Sequence, residues 1–383
     1  MKDIFKKYID ITVPVEACNF RCSYCYISQY HKMDRKKSVF NYSVDEVVKG
    51  LSVKRLGGKC LINLCGIGET LFSQYTIDLA KGLLTQGHYV IIVTNGCAQI
   101  KSYLQLADFP KEYLNRLIVK FSFHYVELKK RKLLDTYWKH VNIIRKSGAG
   151  ISLEMCPSDE TMQYKEEIKK VCLENVGALP HVTIPRSEKE KDYPIITEHT
   201  PSDFINFWKE FDSDMFDIKV KSFGVKRTEF CYAGLWSAYL NIGNGELYPC
   251  HCQNAISKDI FKNLNEKIPF KPVGICKAPY CVNAHCGMCM GCLPDVKVQD
   301  FSTTRDRICK DGSHWISKEC RDFLSQKLYD NNSLLNEKKF LKKLNKKPFK
   351  YYKYKFLIAI SFGKMKKKYE NKLAKWRQKC GQK

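Results

Sequence analysis

Between Tyr8 and about Phe211 the sequence switches repeatedly between short runs suited to β-strands and longer runs suited to helices, and nothing else restricts its fold as much. YIDITVPV (8–15) is followed by a helical stretch at 43–56, LINLC (61–65) by a helix near 73–86, and HYVIIVTN (88–95) by another helical stretch. LIVKFSFH (117–124) precedes a helix at 130–146, ISLEMC (151–156) a helix around 160–174, and HVTIP (181–185) a helix opened by Pro201, Ser202 and Asp203. Such alternation predicts parallel strands joined by crossover helices, an α/β fold of six units.

The strand-like runs carry a second periodicity. Lys120, Ser122 and His124 share one face of LIVKFSFH while Val119, Phe121 and Phe123 share the other, because successive side chains of a strand point to opposite sides. The same parity sets Asp10 and Thr12, Asn63 and Cys65, and Ser152, Glu154 and Cys156 apart from apolar neighbours. Where the outer face packs on helices, these polar sets line the interior and its carboxyl-terminal mouth, where barrels of parallel strands carry their chemistry. The competing expectation for any one of them is a hydrogen bond to neighbouring backbone.

The chain holds nineteen cysteines. Its opening residues, MKDIFKKYID, contain no signal-like apolar stretch, which predicts a cytoplasmic location where thiols stay reduced. Metal chemistry is then a better account of the cysteines than a disulfide framework. Cys18, Cys22 and Cys25 stand in CNFRCSYC with a C-x3-C-x2-C spacing. Three thiolates can hold three irons of a [4Fe–4S] cube and leave the fourth iron open to a small ligand.

This spacing, with Tyr24 before the last cysteine and a strand-like run just upstream, resembles the signature loop of the radical S-adenosylmethionine (SAM) superfamily. CGIGETL (65–71), at the end of the second strand-like run, is similar to the family's Gly-Gly-Glu motif, with Thr70 where proline is usual. The resemblance implies a partial (β/α)6 barrel of the TIM type that cleaves SAM reductively to a 5′-deoxyadenosyl radical and abstracts hydrogen from a substrate. It implies an electron donor such as flavodoxin or ferredoxin. Residue by residue, it implies close backbone approach at Gly66 and Gly68, pairing of Glu69 with the ligand ammonium, and a third strand end at Thr94, Asn95 and Gly96. Ser122 and His124 would meet the ribose or methionyl carboxylate, and Tyr24 and Tyr26 the adenine, unless the tyrosines simply pack over the cluster loop. Cys156, Glu154 and His124, at the interior mouth, are the candidates for catalytic contact with substrate.

Further along, CYAGLWSAYLNIGNGELYPC reads as a β-hairpin with its tip at Asn244 and Gly245, which would bring Cys231 and Cys250 together. This resembles the opening of the SPASM/twitch extensions and implies at least one auxiliary [4Fe–4S] cluster. The candidate ligands are Cys231, Cys250, Cys276, Cys281, Cys286, Cys289, Cys292 and Cys309, whose spacing departs from the full SPASM pattern. A zinc ribbon that also uses His251 or His285 is the rival for this region. Cys252, Cys320 and Cys380 fit neither pattern and read as spare thiols.

The domain boundaries expected from these features are 1–225 for the barrel, 226–325 for the cysteine-rich SPASM/twitch-like domain and 326–383 for a basic amphipathic tail. Residues 338–383 hold eighteen lysines and arginines against one acid, Glu370, so they carry +17 of the net charge of +25. Ile358, Phe362, Met365, Tyr369, Leu373 and Trp376 recur there at the spacing of one helical stripe. A basic amphipathic helix suits an anionic membrane surface, peripheral on the inner face of the cell membrane. Docking on the protein's own barrel or a solvated charged end are the other readings, and nucleic acid ranks behind them. The tail also looks like those of some bacterial glycosyltransferases from surface-polysaccharide clusters. The substrate is then a saccharide or polysaccharide precursor, or a peptide, and the outcome epimerisation, oxidation or cross-linking. The alternative function is a non-catalytic metal-binding adaptor that uses the tail to hold membrane or RNA.

Overall fold

The computed structural model describes residues 3–29 and 39–380, except for the side chains of 343–352 and 376–380. The chain divides into two compact units, 1–332 and 333–383, so residues 226–325 fall within the first.

The first unit is built on one eight-stranded sheet. Its strands are β1 (Lys7–Val13), β2 (Cys60–Gly66), β3 (Tyr89–Thr94), β4 (Leu117–Ser122), β5 (Gly150–Met155) and β6 (His181–Val182). A pair, β7 (Phe230–Cys231) and β10 (Gly274–Ile275), forms a separate two-stranded ribbon, while β8 (Ser237–Asn241) and β9 (Glu246–Tyr248) join the main sheet. The order is β6-β5-β4-β3-β2-β1-β8-β9, parallel throughout except for β9 against β8. This is the mostly parallel α/β sheet of a partial TIM-type barrel, as the alternation predicts.

Helices cover the outer face, held by local signals. Ser43 and Glu46 form a reciprocal capping box at the start of Val44–Gly50, and the Thr200 hydroxyl accepts from the Asp203 N–H at the start of Pro201–Trp208. The apolar parity faces these helices: Ile9, Ile11, Val119, Phe121, Ile151 and Leu153 are all buried. Register places the polar residues side by side on the inner face, with Asp10 opposite Asn63, Thr12 opposite Cys65 and Ser122 opposite Glu154.

The hairpin forms where expected, with Gly245 at its tip in the left-handed region (φ +76°) and no room for a side chain, since a Cβ would lie 2.3 Å from the Asp259 carboxylate. Its sheet partner was not legible. β8 pairs with the outer edge of β1, and the physical reason is that this edge would otherwise present a row of unpaired N–H and C=O groups. The sixth strand is shorter than HVTIP suggests. The expected helix at 43–56 is two, Val44–Gly50 and Val53–Leu56.

The second unit contains two helices, Glu337–Ala359 and Gly363–Cys380, packed against each other. The expected stripe therefore does not run along one helix: Ile358 belongs to the first, and Met365, Tyr369 and Leu373 to the second, with Phe362 in the turn between them. The break falls at Gly363, whose φ of +54° leaves the right-handed helical region. Leu373 is buried while Phe356, Ile360, Phe362 and Met365 are exposed. The side chains of Trp376 and Cys380 lie outside the described residues. Among the described residues no helix is long and apolar enough to cross a membrane.

Candidate active site

The end of β2 grips the segment that leads into the Cys18 loop. The Gly68 N–H donates to the Val15 carbonyl at 2.6 Å and the Glu69 N–H to that of Ala17 at 2.8 Å. A Cβ on Gly68 would sit 2.2 Å from the Ala17 oxygen, so the glycine here admits the chain's own loop. Thr70, the departure from the family motif, steadies the same turn, its hydroxyl accepting from the Gly66 N–H at 2.8 Å.

Glu69 is only 1% exposed. Its carboxylate accepts from Thr94 Oγ1 at 2.6 Å, from the Asn95 N–H at 2.7 Å and from the Leu71 N–H at 3.0 Å. Burial raises its pKa, and these hydrogen bonds oppose the rise. A carboxylate has about four acceptor positions, so one remains for a ligand. Asn95 also donates to Asn19 Oδ1 at 2.7 Å, and Asn19 to the Cys97 carbonyl at 3.1 Å. These bonds tie the Cys18 loop to the end of β3.

Cys18, Cys22 and Cys25 open onto one cavity of about 410 Å³. Tyr24, Tyr26, Gly66, Gly68, Glu69, Thr94, Asn95, Ser122 and His124 line it as well, and so do Glu154 and Cys156. The Tyr24 hydroxyl and His124 Nδ1 are hydrogen-bonded at 2.8 Å. Burial first, and Lys120 second, bring His124 down to about 4, so the ring is neutral at physiological pH. Burial pushes the Cys156 thiol up to about 12, which keeps it protonated.

The inner face of β4 and β5 carries a charge network. Glu154 Oε2 accepts from Lys120 Nζ at 3.0 Å and from Arg305 Nη1 at 2.9 Å. Burial alone would raise the Glu154 pKa, but Lys120, Arg305 and Lys219 hold it well below the usual carboxylate range. Arg305 Nη2 also donates to His285 Nε2 at 3.1 Å. Arg305 and Lys219 escape sequence reasoning because nothing local marks them; they reach β5 from distant segments.

A second cavity, of about 70 Å³, is lined by Cys231, Cys250, Cys252, Cys276, Cys281 and Cys286. Burial and then the nearby Cys292, Cys281 and Cys250 push the Cys231 thiol up, and Cys250 and Cys292 act likewise on Cys281. Cys276 acts on Cys281 as well, ahead of Cys292. Cys252 joins them against expectation: it lines the same cavity and lowers the Cys250 pKa, helped by the Asn283 amide at 3.3 Å. The only sequence signal for it is the spacing of Cys250, His251 and Cys252. Cys289 and Cys292 are buried in the following turn, Cys292 donating to Ser237 at 3.4 Å. Cys309 lies beside Gly177 and donates to the Val176 carbonyl at 3.2 Å, and Cys320 donates to that of Asn115 at 3.1 Å. Of the two histidines in the zinc reading, His251 Nε2 is engaged by Asp10 at 3.1 Å, and His285 faces the larger cavity.

No protein-family model matches the sequence, and no curated protein matches it. Solved structures do. SuiB of Streptococcus suis superposes with a TM-score of 0.50 at 15% identity, over 68% of this chain and 64% of SuiB. The fold is the partial barrel that SuiB has. Another matching structure is anSMEcpe with bound AdoMet, at a TM-score of 0.49 and 14% identity, over 68% of this chain and 80% of that one. The chain spans under two thirds of the length of SuiB.

Proposed function

We propose that this chain is a radical SAM enzyme whose Cys18, Cys22 and Cys25 hold a [4Fe–4S] cluster beside a SAM pocket. The observation that carries the reading is the shared cavity: three thiols of one loop face Glu69, Asn95, Ser122 and His124 across a space of ligand size. Among the described residues no three His, Cys, Asp or Glu side chains converge as they would on a single ion. A four-iron cube is wider than an ion, so its thiolates need not meet at one point, and the donor set fits. Cluster and SAM together supply a 5′-deoxyadenosyl radical for hydrogen abstraction.

The chain's own residues do the rest. Gly66 and Glu69 offer backbone and one carboxylate position to the ligand ammonium, while Asn95 and Asn19 fix the cysteine loop. The neutral Tyr24–His124 pair presents an uncharged wall to the ligand. Glu154, held ionised by Lys120 and Arg305, is oriented for a polar group of substrate. Cys231, Cys250 and Cys281, with Cys292 buried against Ser237, are the set for an auxiliary cluster, and the cavity that the first three line is what supports it. Anaerobic reconstitution with iron and sulfide, followed by reduction in the presence of SAM, tests the reading. Deoxyadenosine is expected, and none would be formed by a metal-bound adaptor.

We also propose that residues 338–383 bind an anionic membrane surface. Phe362, 86% exposed, and its exposed neighbours Ile360 and Met365 sit at a turn flanked by lysines. Each lysine near such a surface contributes about 1 kcal/mol. The full chain should co-sediment with anionic but not neutral vesicles, and less so at high salt. Equal binding by a chain that lacks 338–383 would rule the anchor out.

A further inference from the structure

One wall of the larger cavity is formed by Thr183, Arg186 and Glu188 beyond β6, Lys219 from the helix Asp214–Ser222, and His285. Charges on this side do not balance. Arg186 is taken up by Glu188 at 2.7 Å and by the Val282 carbonyl at 2.9 Å. Glu154 already serves both Lys120 and Arg305. Lys219 has only the Thr183 hydroxyl as its hydrogen-bond acceptor, and among the described residues no carboxylate lies within ion-pair distance of it. Glu154 acts on this charge only from beyond ion-pair distance, and a single neutral acceptor leaves at least one ammonium N–H free to point at a ligand. Burial accordingly pulls the Lys219 pKa down to about 8. A cation without a close counter-charge in a cavity wall is costly for the empty protein, and the cost is relieved when an anion binds or the proton leaves.

We propose that Lys219 anchors an anionic group of the substrate, a carboxylate or a phosphate, on the β6 side of the cavity. The inference rests on the radical SAM reading for the location of the ligand pocket, and it narrows the substrate class to acids and phosphate esters. SAM carries a carboxylate of its own. Ser122 and His124 face that ligand from β4, whereas Lys219 lies past β6.

The test uses the reconstituted full chain as wild type, Lys219→Met and Lys219→Arg, with inorganic phosphate and acetate as probes, each with and without SAM. Methionine keeps the unbranched stem and removes the charge, so folding is preserved. One of the two anions should raise the melting temperature of the wild type with SAM bound. Half-saturation should move about tenfold higher in Lys219→Met and stay near the wild-type value in Lys219→Arg. A response to phosphate identifies a phosphate ester and a response to acetate a carboxylate. SAM affinity should be the same in all three proteins. If Lys219→Met answers both anions as the wild type does, binding is elsewhere and the proposal fails. A tenfold loss of SAM affinity in Lys219→Met also overturns it, since Lys219 would then hold SAM's own carboxylate. A wild type that does not bind SAM at all defeats the radical SAM reading instead, and the anion titrations without SAM still decide the role of Lys219.

Discussion

Replacing Cys18, Cys22 and Cys25 together by alanine is expected to abolish deoxyadenosine formation while leaving iron and sulfide in the protein. The three thiols belong to one loop that faces the larger cavity, whereas Cys231, Cys250 and Cys281 line a different one, with Cys292 buried against Ser237 of its wall. Loss of the first set should therefore not empty the second. The loop itself should survive, because its short bonds to β2 and β3 run through the Ala17 carbonyl and Asn19, the Cys18 thiol adding only a long contact with Asn95 at 3.8 Å. The measurements are deoxyadenosine by chromatography and iron, zinc and sulfide content of the variant prepared anaerobically. Undiminished SAM cleavage would end the assignment of the cysteine loop. Stoichiometric zinc without sulfide would end that of the second cavity.

Glu154→Gln is expected to cost about 3–5 kcal/mol of stability, the usual penalty for leaving a buried charge without its partner. The glutamine keeps the shape but abandons both Lys120 and Arg305, the latter buried. Because the folded carboxyl is held well below its ordinary pKa, its contribution is complete above the unfolded value near 4.3 and disappears as pH falls toward the folded value. The variant and the wild type should thus converge in stability in acid. Ser152→Ala, on the same strand face, is the control: the Ser152 hydroxyl is buried with no partner among the described residues, and its removal should be neutral or stabilising. Urea unfolding at pH 7 and at the lowest pH where the wild type stays folded reads both. A Glu154→Gln protein as stable as the wild type at pH 7 would mean that the network is solvated.

The six strands and the polar interior were legible because both depend on short-range periodicity. Lys120, Ser122 and Glu154 could be turned inward by parity alone, and the cavity does receive them. The cysteine loop and the glycine turn were legible through their spacing. What escaped is non-local. The pairing of β8 with β1 joins residues more than two hundred positions apart, and it answers a need of the β1 edge that no local pattern announces. Arg305 reaches Glu154, and Lys219 the cavity, the same way. The tail misled for the opposite reason: a helical spacing continued in sequence across Gly363, where the backbone turns. Cys309 shares a cysteine-rich neighbourhood in sequence, yet its thiol is spent on the Val176 carbonyl.

The claim beneath all of this is that SAM binds directly to an open iron held by Cys18, Cys22 and Cys25. Electron paramagnetic resonance of the reduced, reconstituted protein reads that contact, because chelation of the open iron by SAM alters the cluster's electronic environment. Adding SAM should shift the signal of the wild type and leave that of the triple alanine variant unchanged. A fully reconstituted wild type whose spectrum is the same with and without saturating SAM would contradict the account.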